Sequence, residues 1–115
     1  MAVVRCHLAA FNERDLEGLR ADLAEEVVFA TGSDIVSGRA AVCEFFGDAL
    51  SGSIELELRL NRAIVDGNAV ACELIERISS DSGTNEVPIA AFFTVGNGLL
   101  RHAKVYREGS ADLPE

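Results

Sequence analysis

A single carboxylate interrupts an apolar strand face in the second half of the chain. Strand side chains alternate between the two faces of a sheet, and one face of the strand predicted at 69–79 carries Cys72, Leu74, Glu76 and Ile78. A carboxylate on such a face must be hydrogen-bonded, paired with a cation or protonated. Glu76 therefore has two candidate roles: a structural ion pair with Arg62, whose strand phase also predicts an inward side chain, or general acid–base catalysis. A bulge in the strand would instead turn Glu76 outward.

A histidine lies on the apolar face of the first predicted helix. The residues spaced at i, i+3, i+4 and i+7 on this face are Val4, His7, Leu8 and Phe11. We expect His7 to point toward the sheet, either as a half-buried histidine that is hydrogen-bonded within the fold or as the polar group of a pocket. If His7 and Glu76 share one cavity, they form a carboxylate–imidazole pair able to move a proton, which makes both candidate catalytic residues.

The residues that several other chemistries require are missing from the sequence. Its two histidines, His7 and His102, are far apart and belong to no zinc-binding motif, so no metal site is predicted. There is no glycine-rich phosphate-binding motif and no serine nucleophile elbow, and we expect no cofactor. Cys6 and His7 do not predict a nucleophile pair, because adjacent helix residues point about 100° apart.

The charge of the chain argues against two classes of partner. Acidic residues number 19 and basic residues 10, for a net charge of −9, which repels phosphate backbones and anionic lipids. We therefore expect no nucleic-acid or membrane partner. Apolar runs such as 89–93 are far shorter than the roughly 20 residues of a membrane span. The 3 cysteines, none in a C-x-x-C motif, are expected as free thiols of a cytoplasmic protein.

Helical patterns dominate the first half of the chain. After the first helix, residues 12–15 form a polar break, and Asp15 is the predicted N-cap of a short second helix. A β-branched strand at 27–31 is followed by a turn, in which Asp34 is interpreted as a turn residue near the expected mouth of a pocket. A third helix is predicted between Gly38 and the Ser-Gly-Ser segment at 51–53.

Four strands joined by tight turns follow the third helix. They comprise an alternating segment from Ile54 and strands at 69–79, 86–95 and 99–107. The predicted fold class is α+β: a cone-like, curved, mostly antiparallel sheet with three helices packed on its concave face. We expect one domain over residues 1–108 and a short C-terminal tail at 109–115. A cone of this kind encloses a natural small-molecule cavity.

The order of these elements resembles the nuclear transport factor 2-like superfamily, and within it the small SnoaL-like and ketosteroid-isomerase-like proteins. The segments that carry the resemblance are the first helix with the N-x-x-D break at 7–16, the acidic start of a strand at 25–29, the G-R-A-A-V-x-E-F-F helix at 38–46, and the strand segments at 88–92 and 98–100. This superfamily hosts isomerases, polyketide cyclases, dehydratases, epoxide hydrolases and non-catalytic adaptors. Function must therefore be argued from the site.

The resemblance does not predict ketosteroid isomerase activity. That reaction needs a carboxylate base and two oxyanion donors, a tyrosine and a protonated aspartate. By the resemblance these positions fall on Thr31, His7 and Ala90, so all three groups are replaced. A threonine hydroxyl has no useful basicity near neutral pH.

The resemblance also implies an apolar cavity and a partner subunit. The predicted ligand-binding walls, which would take a small apolar ligand, are Phe11, Phe29, Thr31, Phe46, Leu74, Phe92 and Ala103. On the last strand, the face that includes Ala103, Val105 and Arg107 is expected toward the cavity, with its arginines at the rim. The opposite face, His102, Lys104 and Tyr106, is expected toward the partner.

The predicted partner is a second copy of the chain. Mixed outer faces, with Ile75 between Glu73 and Arg77 and with Val95 near Phe93 and Ala91, predict a C2 homodimer through the outer face of the sheet. Two functions remain open: a cofactor-independent isomerase, cyclase or hydrolase acting on a small hydrophobic substrate through His7 and Glu76, and a non-catalytic ligand-binding or scaffold dimer.

Overall fold

Three helices precede and interrupt a six-stranded sheet in the computed structural model, which describes residues 1–107. The elements are α1 (Ala2–Asn12), α2 (Leu16–Ala21), β1 (Leu23–Thr31), β2 (Asp34–Ser37), α3 (Arg39–Leu50), β3 (Glu55–Asp66), β4 (Ala69–Ser80), β5 (Gly83–Gly96) and β6 (Leu99–Arg107). The tail predicted at 109–115 lies outside the described residues.

The sheet is curved and open, with strand order β2-β1-β6-β5-β4-β3. β3, β4, β5 and β6 form an antiparallel meander, as their tight turns predict. β1 joins the far side of β6 as a parallel strand and pairs with β2 in the antiparallel sense. The predicted α+β class with a mostly antiparallel sheet is confirmed.

Local sequence signals explain how the first two helices are joined. Arg14 has a positive φ of 56°, which breaks the helical path, and the Asp15 carboxylate then accepts a hydrogen bond of 3.0 Å from the amide of Gly18. The predicted N-cap of α2 is therefore confirmed. The side chain of Asn12 bonds both the amide and the carbonyl of Leu58, each at 2.8 Å, and so fastens the end of α1 to β3.

One strand, β2, was not predicted from the sequence. The turn after β1 is present, and Gly32 adopts the positive φ of 57° that it requires, but residues 34–37 pair back onto β1. Asp34 faces Thr31 as the first residue of β2, so it lies in a strand and not in a loop. β2 gives a weak pattern because it is a short edge strand, and its Ile35 side chain is 72% exposed.

A bulge in β3 reverses the strand phase that the sequence predicts for Arg62. The register with β4 shifts between Leu60 and Arg62, so that Leu58 and Leu60 are half-buried whereas Arg62 and Ile64 are exposed. The expected inward position of Arg62 is therefore wrong. Arg62 pairs instead with Glu73 at 2.8 Å on the outside of the sheet.

The core lies between the helices and one face of the sheet. The most completely buried side chains come from both layers: Val4 of α1, Leu19 of α2, Val27 of β1, Val42 of α3, Val70 and Cys72 of β4, and Leu100 of β6. A space remains beside this core, between the helices and the sheet.

Candidate functional site

A cavity of about 140 Å³ lies between α1, α3 and the inner face of the sheet. Its lining is mostly apolar and includes side chains from both helices and from all strands except β2: His7, Leu8, Phe11, Phe29, Thr31, Phe45, Phe46, Ala49, Leu56, Leu58, Leu74, Glu76, Ile89, Ala91, Phe93, Val105 and Arg107. Within this lining, four side chains carry polar groups: His7, Thr31, Glu76 and Arg107.

Phenylalanine rings form one wall of the cavity. The ring of Phe46 lies 5.1 Å from that of Phe29 and 6.2 Å from that of Phe11, and both contacts have edge-to-face geometry. The ring of Phe45 packs against both members of the Phe29–Phe46 pair, at 5.7 Å from Phe29 and 6.1 Å from Phe46. Each ring is held by its neighbours in a favourable orientation, which makes this wall a preformed apolar surface.

His7 lies at this wall as a buried and unpaired imidazole. Its residue is 4% exposed, and its ring centroid lies 5.7 Å from that of Phe46 and 5.8 Å from that of Phe93. Its Nδ1 atom has no hydrogen-bond partner within residues 1–107. A buried polar group without a partner destabilises a fold by roughly 1–3 kcal/mol, so such groups in native proteins call for an explanation.

The protonation state of His7 follows from its surroundings. Burial among aromatic rings disfavours the charged form and lowers the pKa of His7 to about 4. The imidazole is therefore neutral at pH 7, with one nitrogen as donor and the other as acceptor. A group with this pKa is a poor general base near neutral pH, because general acid–base catalysis is most efficient when the pKa of the catalytic group is close to the working pH.

Glu76 faces the same cavity and is paired with Arg107. The guanidinium of Arg107, on β6, donates a hydrogen bond to Oε1 of Glu76, on β4. The Glu76 side chain is 9% exposed and that of Arg107 40%, which places the arginine at the rim. The ion-pair alternative for Glu76 is thus realised with Arg107 and not with Arg62, because the β3 bulge turns Arg62 to the outer side.

The structure brings most of the predicted wall residues together. Besides His7 and Glu76, the predicted residues that line the cavity are Phe11, Phe29, Thr31, Phe46 and Leu74. Arg107 and Val105 of β6 also line it, on the face that the resemblance placed there. Roles in catalysis and ligand binding stay predictions for all of these residues.

Two predicted wall residues lie elsewhere. Phe92 is 51% exposed on the outer face of the sheet, where its ring packs edge-on against Tyr106 at 5.8 Å. Strand alternation places its neighbours Ala91 and Phe93 inward, so the prediction that they lie on the outer face was also wrong. Ala103 is buried in the core, where its strand neighbours in register are Phe29 and Phe93, whose larger rings face the cavity.

Part of the lining was not predicted from the sequence. Phe45 and Ala49 of α3 and Leu56 and Leu58 of β3 line the cavity and are absent from the predicted walls. The signal was present in the alternation of β3 and in the helical spacing of α3. Neither pattern alone shows which part of an apolar face meets the core and which part meets a cavity.

Among residues 1–107, no group of three or more His, Cys, Asp or Glu side chains is arranged to hold a metal ion. None of the helices described by the structure has the length and hydropathy of a membrane span.

Solved structures share this fold at low sequence identity. An LEH-like epoxide hydrolase from M. tuberculosis superposes with a TM-score of 0.85 at 19% identity, covering 93% of this chain and 80% of that one. A Catenulispora acidiphila protein with a ketosteroid isomerase-like fold, in complex with trimethylamine, gives 0.82 at 15% identity over 90% and 83%. TerC, co-crystallised with polyporic acid, gives 0.81 at 18% identity over 93% and 89%. At these identities the likeness shows the fold alone.

The family of the chain follows from its sequence profile. No curated protein matches the sequence. The model of the SnoaL-like domain matches residues 4–103, which cover α2, α3, all but the first two residues of α1, and most of the sheet. The resemblance drawn from the sequence is thereby confirmed, and the chain belongs to the SnoaL-like domain family of the nuclear transport factor 2-like superfamily.

Proposed function

We propose that the protein binds a small, largely apolar molecule in the cavity between α1, α3 and the sheet. The observation that carries this proposal is a preformed aromatic wall facing an open space of about 140 Å³. An apolar cavity of about 150 Å³ in another protein stays dry and takes up benzene. By that comparison, the occupant has on the order of six to ten non-hydrogen atoms.

A panel of compounds tests this proposal through the melting temperature. A ligand that binds only the folded state stabilises it by mass action, by about 2.7 kcal/mol at a concentration 100 times its Kd. Neutral compounds such as toluene, phenol and small monoterpenes are expected to raise the melting temperature. Citrate and phosphate, as polar anions, are expected to leave it unchanged. A shift with the anions and none with the apolar compounds would contradict the proposal.

Catalysis is the second candidate function, and Glu76 is the observation that favours it. Its carboxylate faces the cavity beside the position of any occupant and is held by Arg107. In that position it can accept a proton from a bound molecule or from a water beside it. We propose a cofactor-independent hydrolase, isomerase or cyclase reaction for this arrangement, a range of activities that includes that of the epoxide hydrolase with the same fold.

The reaction would place different demands on the two polar groups. Neutral His7, with its pKa of about 4, is suited to orient a substrate by a hydrogen bond and is a poor base at pH 7. Glu76 is therefore the proton acceptor in this candidate mechanism. Product formation by wild type and not by Glu76→Gln, from a substrate that both bind equally, would support catalysis over binding alone.

We also propose a homodimer through the outer face of the sheet. Phe92 and Tyr106 are 51% and 53% exposed there, and Ile75 is half-buried. Lys104, whose Nζ lies 5.4 Å from the Tyr106 ring, and Glu73 give this face charges of both signs. A face with both charges can pair with its own copy across a two-fold axis.

A cytoplasmic location and the absence of nucleic-acid partners remain proposals. Three free cysteines support the location, and a net charge of −9 argues against nucleic-acid binding.

A further inference from the structure

One row of residues separates the cavity from the outer face of the sheet. Leu74, Ile89 and Arg107 lie opposite one another on β4, β5 and β6. All three line the cavity, and all three also border a groove of about 300 Å³ on the outer face. Because closely packed side chains transmit strain, a change on one side of this row can reach the other side.

Short side chains of β5 leave the groove open. Pro88 and Ala90 are the neighbours of Ile89, and strand alternation turns them to the outer face. Longer residues of the adjacent strands stand on both sides of them. The residues that border the groove on the outer face are Asn61, Glu73, Ile75, Pro88, Ala90 and Tyr106. The groove is thus a depression in the face through which we propose the homodimer.

An aromatic ring projects from the same face beside this depression. Phe92 follows Ala90 by two positions on β5, which places the two residues about 7 Å apart on one face. Phe92 is 51% exposed, and its ring lies 5.8 Å from that of Tyr106, at the border of the groove. A two-fold axis that runs across the strands between two copies and passes over Ala91 exchanges positions 90 and 92. Such an axis places the Phe92 ring of each copy over the groove of the other.

The charges of the outer face suit the same axis. Lys104 is in register with Phe92, whereas Glu73 and Tyr106 are in register with Ala90. Exchanging the two rows sets the ammonium group of Lys104 opposite the partner's Tyr106, a cation–π arrangement, and brings no like charges of these residues together. Shape and charge therefore both favour a second copy of the chain as the occupant of the groove.

Arg107 connects this contact to the cavity. Its side chain is 40% exposed, borders the groove, and donates a hydrogen bond to Glu76 in the cavity wall. A partner ring in the groove removes water from the exposed part of Arg107, and an ion pair strengthens when its surroundings become less polar. The strengthened pair holds the wall between β4 and β6 in one arrangement. A wall that is already ordered binds a ligand more tightly, because less ordering remains to be done on binding.

We propose that dimer formation completes the wall of the ligand cavity. Each copy places its Phe92 ring in the groove of the other and so fixes Arg107 against Glu76. Ligand binding and dimer formation then favour each other, and by thermodynamic linkage this coupling is reciprocal. The inference rests on the proposed function, since it concerns the regulation of the same cavity by the same dimer.

Calorimetric titration with toluene tests the inference. Phe92 lies outside the cavity lining, so Phe92→Ser removes the projecting ring and no cavity contact. Ile35→Ser is the matched control, because Ile35 is also an exposed apolar residue and borders neither the cavity nor the groove. We expect Phe92→Ser to be monomeric and to bind toluene at least about fivefold more weakly than wild type, the lower end of typical couplings between sites. Ile35→Ser should match wild type.

A second measurement uses wild type alone and so does not depend on how Phe92→Ser folds. Sedimentation velocity over a series of protein concentrations, with and without saturating toluene, gives the dimerisation constant in both states. A fivefold coupling at each of two sites should tighten the dimer about 25-fold. Toluene should leave Phe92→Ser monomeric over the same concentrations.

The outcomes separate the inference from the proposed function. Equal toluene affinity in Phe92→Ser and wild type, or a dimerisation constant that toluene does not change, would overturn the inference and leave binding in the cavity standing. Toluene binding by a wild type that is monomeric at every concentration would overturn the inference together with the dimer. No toluene binding to wild type would overturn both the inference and the proposed ligand-binding function.

Discussion

Arg107 at the end of β6 reaches across β5 to bond the carboxylate of Glu76 on β4. The two partners differ in exposure, because Glu76 lies within the cavity wall and Arg107 extends to the rim. Losing one partner therefore has a different consequence from losing the other. An arginine at the rim can turn to water, whereas the carboxylate in the wall cannot.

This difference predicts unequal losses of stability. Arg107→Met leaves a buried carboxylate without its cation and should lower the free energy of unfolding by about 3–5 kcal/mol. Glu76→Gln leaves an arginine that can rehydrate, and the loss should be smaller, about 1–2 kcal/mol. Urea denaturation at pH 7 measures both. Glu26→Gln, which breaks the surface pair with Arg101, is the control and should cost less than about 1 kcal/mol. Equal losses for Arg107→Met and Glu26→Gln would contradict the burial argument.

The buried His7 predicts a pH dependence of stability. Burial lowers the pKa of His7 in the folded protein to about 4 from its ordinary value of 6.5, so the unfolded chain binds more protons between these two values. The stability associated with neutral His7 is therefore complete above pH 6.5 and is lost as the pH falls toward 4, by about 3 kcal/mol. Urea denaturation of wild type and His7→Phe at pH 7 and pH 4 checks this. The difference in stability between the two proteins should change by that amount, whereas His102→Phe should follow wild type. A constant difference would show that His7 does not titrate with a lowered pKa.

The outer sheet face predicts an assembly that depends on Phe92. Sedimentation velocity at micromolar concentration should show a species of twice the chain's 12.3 kDa. Phe92→Ser removes an exposed aromatic side chain from the proposed contact and should shift the equilibrium toward monomer. Ile35→Ser is the control, since Ile35 is 72% exposed on the edge strand β2. A monomeric wild type would refute the dimer proposal.

A polar residue could be placed in the interior from the sequence where it interrupts a regular apolar pattern. His7 and Glu76 could be assigned to the interior because they interrupt regular helical and strand patterns, and both line the cavity. Arg107 could be placed on the cavity side of β6 by resemblance. Its pairing with Glu76 could not be predicted, because the rival partner Arg62 is removed by a bulge in β3 that leaves no mark in the sequence.

The two adjacent phenylalanines of β5 show a second limit. Phe92 and Phe93 suit either side of a sheet, and a shift of one residue exchanges their faces. The alternation in β5 is weak because Ile89, Ala90 and Ala91 are all apolar. Only the pairing of Phe93 with Ala103 and Val70 determines which ring faces inward.

Binding of toluene to a cavity-filling variant tests the central claim most directly. Ala49 lines the cavity on α3, and Ala49→Leu would place three more carbon atoms there. Ala41→Leu, at an exposed position of the same helix, is the matched control. Calorimetric titration should show saturable binding at one site per chain for wild type and Ala41→Leu, and at least tenfold weaker binding for Ala49→Leu. Equal affinity in all three proteins would show that toluene binds elsewhere, and absence of binding to wild type would contradict a ligand-binding cavity.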